Sequence, residues 1–69
     1  MSGLDARRWP AGMLVLVARP LGVTERGLVG RVVTFDGMTE THGYARCRMP
    51  DTAQVVLLHP EALDPVVVP

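Results

Sequence analysis

The side chains able to do chemistry in this 69-residue chain are few, and cations and carboxylates are equal in number among them. Seven arginines (Arg7, Arg8, Arg19, Arg26, Arg31, Arg46 and Arg48) supply every basic charge, with no lysine, and seven carboxylates balance them to a formal charge of zero. The densest grouping is Tyr44-Ala45-Arg46-Cys47-Arg48-Met49. Extended backbone sends alternate residues to opposite faces, so Ala45, Cys47 and Met49 belong to a core face and Tyr44, Arg46 and Arg48 to a solvent face. An aromatic ring beside two guanidinium groups can stack a base and hold a phosphate, or receive an acidic peptide. It can equally be a solvated face on which arginine stems cover apolar surface. Arg31 extends the patch if its strand lies antiparallel beside this one.

Other chemistries find little to use. His42, Cys47 and His59 are the soft metal ligands, and no pair has zinc spacing, so no metal is expected. Cys47 lies on the predicted core face, where a free thiol behaves as a small apolar group. His59 precedes Pro60 and is expected to close a turn of helix. Ser2 is the sole serine and has no His-Asp pair at a recognisable spacing. Asp36, Glu40, Asp51, Glu61 and Asp64 all fall in predicted turns, where short carboxylates bond their own backbone. No glycine loop leads into a helix to cradle a phosphate. The chain therefore reads as no enzyme, with no cofactor and no small-molecule substrate implied. Trp9, after Arg7-Arg8 and before Pro10, either covers one end of the fold or anchors a partner.

The elements that must position these residues are marked off by proline and glycine. Pro10 and Gly12 precede the apolar run Met13 to Ala18, and Pro20 and Gly22 follow it. Between such breaks lie short pieces rich in Val, Leu, Phe and Tyr, which is how strands read. Five are expected: Met13 to Arg19, Leu28 to Phe35, Tyr44 to Met49, Ala53 to Leu58, and Val66 to Val68. Asp36-Gly37 is read as a turn opening a hairpin loop through His42. Helix is expected only at His59 to Leu63, as one 3₁₀ turn started by Pro60 and stopped by Pro65. The length allows one domain, with residues 1–12 packing on a body formed by residues 13–69.

Four strands, a 3₁₀ turn and a short fifth strand resemble the SH3-like small barrels, an all-β class. In so bent a sheet one strand serves two packed layers, which accounts for runs that are apolar on both faces. Within it, Arg26-Gly27-Leu28-Val29-Gly30-Arg31-Val32 resembles the KOW motif of ribosomal proteins and transcription elongation factors: a base, Gly, two residues, Gly, one residue, then an apolar residue. That resemblance implies a tight turn, a bent strand start at Gly30, and a nucleic-acid-binding module whose Arg26, Arg31, Arg46 and Arg48 meet RNA or DNA phosphates. The balanced charge lacks the cationic field of a nucleic-acid coating protein.

Burial adds a constraint. Leu14-Val15-Leu16-Val17 and Val55-Val56-Leu57-Leu58 are unbroken apolar runs, and strand alternation must turn some of these side chains outward. Exposed apolar strands mean association. The leading expectation is a non-catalytic protein-interaction or assembly module. It binds a protein partner or a second copy through Tyr44, Arg46, Arg48, Trp9 and the apolar strand surface. Such a compact chain also suits a phage- or prophage-encoded accessory protein. The apolar run before Arg19-Pro20 has no small-residue cleavage site and falls far short of the roughly 20 residues a membrane span needs. With a lone cysteine, these features lead to an expectation of a cytoplasmic protein without membrane contact.

Overall fold

The computed structural model describes residues 8–40 and 43–66. Five strands make one antiparallel sheet: β1 (Met13–Val17), β2 (Val32–Met38), β3 (Ala45–Arg48), β4 (Val55–Leu58) and β5 (Leu63–Pro65). Their spatial order is β4-β3-β2-β1-β5, so the last strand returns beside the first. A 3₁₀ turn, Pro60–Ala62, separates β4 from β5, as the Pro60/Pro65 spacing predicts. The all-β expectation holds. The sheet stays open, with β4 and β5 as its two edges.

Alternation explains the core. Val15 and Val17 of β1, Val33 and Phe35 of β2, Ala45 and Cys47 of β3, and Leu58 of β4 point inward and are buried, joined by Met49 and Leu63. Trp9, Met13, Leu28, Met38 and Val56 pack against them part-buried. Branched and aromatic side chains suit a pleated surface, whereas in a helix they would lose rotamer freedom. Phe35 is the largest of the fully buried side chains, and the Trp9 ring meets it edge-to-face at 5.4 Å between centroids. The residues before β1 thus contribute to the core through one aromatic.

The second strand starts at Val32 and not at Leu28, and three further details depart from the sequence reading. First, Asp36-Gly37 is not a turn but lies inside β2, where a bulge sets Phe35 opposite Cys47 and Gly37 opposite Arg46, leaving Asp36 as the extra residue. Gly37 takes φ +139°, a conformation that a side chain would oppose. Glycine's freedom was used to bend a strand instead of ending it. Second, a four-residue helix, α1 (Val23–Arg26), stands in the β1–β2 connection, which extended expectation missed. Third, the fifth strand comes earlier than Val66 to Val68. Leu63 to Pro65 pair with β1 in the register Val17↔Leu63, Leu16↔Asp64, Val15↔Pro65. Val66 adds one backbone bond to the Leu14 carbonyl, and residues 67–69 lie outside the described residues.

The KOW-like glycines also separate. Gly30 has φ +89° and donates its N–H to the Val17 carbonyl from the turn before β2, whereas Gly27 ends α1 at φ −77°, a value open to any residue. Among the described residues, no helix is long and apolar enough to cross a membrane.

With its interior concentrated on one large ring, the fold is sensitive at that position. Phe35→Ala should cost about 3–5 kcal/mol, a typical penalty for truncating a buried phenylalanine. A domain of this size has a total stability of roughly 3–10 kcal/mol. Urea denaturation followed by circular dichroism should show the midpoint collapsing towards zero denaturant.

Candidate functional site

The outer face of the sheet is built by the residues that alternate with the core set. Across the strands the register reads Leu14↔Thr34↔Arg48↔Val55, with Leu16↔Val32 on one flank and Arg46↔Leu57 on the other. Four aliphatic side chains on this face stay largely open to solvent: Leu14 at 44%, Val32 at 38%, Val55 at 51% and Leu57 at 48% of their full exposure. They form two groups, one on β1–β2 and one on β4, with Thr34, Asp36, Arg46 and Arg48 between them. Hydrophobic groups around a polar centre are the reverse of the usual interface plan, in which the rim is polar.

Arg46 and Arg48 share this face as alternation predicts, and both are exposed. Their charges differ in effect. Arg48 Nη2 donates to Asp36 Oδ2 at 2.6 Å, a contact made possible by the β2 bulge. Such exposed pairs contribute about 0–1 kcal/mol to stability, so the consequence is chiefly local neutralisation. The other sequence-identified residues are not gathered here. Arg31 precedes β2, and its Nη2 lies 3.5 Å from Asp51 Oδ2 in the β3–β4 connection. Arg26 is exposed on α1. Trp9 packs on the core side against Phe35. Tyr44 is half-buried, its ring edge-on to His59 at 5.0 Å, and does not stand free beside the guanidiniums. Of the expected cluster, Arg46 and Arg48 lie exposed among aliphatics and Tyr44 meets His59.

Sequence reasoning missed the most buried charge. Glu25 of α1 is 2% exposed, and its Oε2 accepts the His59 backbone N–H at 2.7 Å and faces His59 Nδ1 at 3.0 Å. Burial alone would push this carboxyl up, but the two His59 contacts outweigh it and hold Glu25 below its ordinary value. Gly22 lies beneath the pair, where an added Cβ would stand 2.5 Å from Glu25 Oε1 and 3.1 Å from His59 Cε1. His59 does precede the 3₁₀ turn, and its carbonyl accepts the Ala62 N–H, but its ring makes no cap; it serves Glu25 instead. The turn expectation for the carboxylates is likewise corrected at Asp36, in β2, and Asp64, in β5, where Oδ1 takes Arg19 Nη2 at 2.6 Å. No spacing in Gly22-Val23-Thr24-Glu25 announces a buried acid, because its partner lies 34 residues away.

A carboxylate against an imidazole is the orienting half of many acid-base devices, and here it holds α1 to the residue that follows β4. Among the described residues no three His, Cys, Asp or Glu side chains gather to hold a metal. His42 lies outside the described residues. Cys47 is fully buried, and burial first, then the nearby Asp36 charge, pushes its thiol up to about 12.

Two outcomes follow. A carboxyl held low in the folded state contributes stability that is complete above its unfolded value and is lost as pH falls through the folded one. Unfolding free energy should therefore drop as pH is lowered below about 4.5, the ordinary glutamate value. In Glu25→Gln that part of the pH dependence should be absent, as read from urea midpoints at a series of acidic pH values. Separately, Cys47 should react with a disulfide reagent at pH 8 at least about 100-fold more slowly than a free thiol. It should react at the full rate in urea, because labelling must await opening of the core.

Comparison with known proteins returns no matching family model, no matching curated protein and no matching solved structure.

Proposed function

We propose that this chain is an SH3-like small barrel acting as a non-catalytic protein-interaction module, with the outer face of its sheet as the contact surface. The strand order, with β5 returning beside β1 after a 3₁₀ turn, supports the barrel reading. The observation that carries the function is the set Leu14, Val32, Val55 and Leu57, four large aliphatics left open on one face of so small a domain. Burying such groups on association releases their hydration cost, at roughly 25 cal/mol per Å² of apolar area. Arg46, which has no ion pair among the described residues, gives the contact a polar point of recognition. Nucleic-acid binding through Arg31 and Arg48 is less favoured, since Asp51 and Asp36 already neutralise those two charges.

The double variant Leu14→Glu, Leu57→Glu changes only exposed positions and should keep the wild-type melting temperature within a few degrees. It should weaken association, whether with itself in sedimentation equilibrium or with a partner captured by crosslinking, at least about tenfold, or roughly 1.4 kcal/mol. Complexes of the wild type should persist at about 0.5 M salt. The reading fails if the only association is with RNA or DNA and its affinity falls steeply as salt rises, the signature of counterion release.

A further inference from the structure

A concave feature lies away from the outer face, at the end of the sheet where β2 runs past the start of β1. The β1–β2 pairing stops at Met13↔Phe35, yet β2 continues to Met38. Above that overhang is a groove of about 380 Å³ lined by Trp9, Phe35, Gly37, Met38, Thr39 and Glu40. Trp9 and Met38 are its part-buried apolar side chains, while Phe35, 1% exposed, is closed to an occupant. Gly37 leaves the floor open, since an added Cβ would meet nothing within 4 Å. The rim carries one charge, the exposed Glu40 carboxylate, and that group has no ion pair among the described residues. Asp36 and Asp64, by contrast, are each held by an arginine at 2.6 Å.

We infer that this groove is a binding site for an arginine side chain presented by a partner polypeptide. The chemistry of the lining selects such an occupant. An aliphatic stem suits Met38, a guanidinium plane stacks favourably on an indole, and its fork of N–H donors meets a carboxylate in two parallel hydrogen bonds. A neutral apolar side chain would leave Glu40 unanswered, and an acidic one would be repelled by it. The site is independent of the outer-face contact, because it shares none of Leu14, Val32, Val55 or Leu57.

Trp9 is the sole tryptophan of the chain, so its fluorescence reports occupancy of the groove directly. The probe is the blocked tripeptide acetyl-Gly-Arg-Gly-amide, titrated against the intact chain at low salt and compared with the same peptide containing citrulline, which keeps the shape and removes the charge. The arginine peptide should give a saturable change with a dissociation constant of about 1–10 mM, as suits a single side-chain contact. The citrulline peptide, or Glu40→Gln with the arginine peptide, should bind at least about fivefold more weakly. Leu14→Glu, Leu57→Glu should bind the peptide as the wild type does, which separates this site from the outer face. Equal binding of the citrulline peptide, an unchanged affinity in Glu40→Gln, or amide shifts confined to β4 would each overturn the inference. So would a rise in affinity of more than about threefold in Arg8→Gln, because the occupant would then be the chain's own arginine.

Discussion

The Glu25 carboxylate lies where α1 meets the end of β4, taking a backbone N–H from His59 on one side and the His59 ring on the other. Strand pairing joins β1 through β4 in sequence and brings β5 back to β1, but nothing in that ladder ties the β1–β2 connection to β4. Glu25 makes this tie, and α1 is seated against β4 by it. A buried charge is expensive unless every lone pair is answered. The requirement for an exposed-backbone donor and a nearby imidazole therefore fixes where α1 can stand. The absence of a side chain at Gly22 belongs to the same requirement, since a methyl there would occupy the space of the carboxylate. Tyr44, edge-on to the His59 ring, extends the arrangement to the start of β3.

From that tie outward, the molecule divides into surfaces with different chemistry. The sheet's inner face is apolar and buried, with Phe35 its largest side chain and Trp9 edge-to-face against it. The outer face is aliphatic around a small polar centre in which Asp36 cancels Arg48. A balanced charge overall is thus reproduced locally: two of the four arginines that sequence alone suggested as phosphate contacts, Arg31 and Arg48, are already paired. Arg19 is engaged in the same way, donating Nε to the Glu61 carbonyl as well as Nη2 to Asp64, which anchors the end of β1 to the 3₁₀ turn and β5. Exposed aliphatic groups beside neutralised cations are what the proposed protein contact rests on.

How far the sequence could be read depended on the range of the interaction involved. Alternation in Tyr44 to Met49 placed Cys47 inward and Arg46 and Arg48 outward, because a strand's side-chain period is a local property. Pro60 and Pro65 located the 3₁₀ turn for the same reason. Asp36-Gly37 misled because the dipeptide suits both a hairpin and a bulge, and only the pairing of β2 with β3 decides between them. The fifth strand was misplaced by three residues because Val66 to Val68 has the stronger strand composition, while Leu63 to Pro65 has the register with β1. Glu25, the Tyr44–His59 contact and the groove beside Trp9 were illegible, since each joins segments far apart in the chain. Their chemistry exists only once the sheet has bent.

The pairing of β1 with β5 carries a kinetic consequence. Val15 meets Pro65 about 50 residues along the chain, so this contact forms only after a large loop has closed. Antiparallel sheets dominated by such distant partners reach the native state in milliseconds to seconds, far slower than bundles of helices. During that interval the Leu14 to Val17 and Val55 to Leu58 runs are unsheltered together, and crowded copies can trap one another. The chain's yield on refolding is consequently governed by dilution and time more than by the stability of what finally forms.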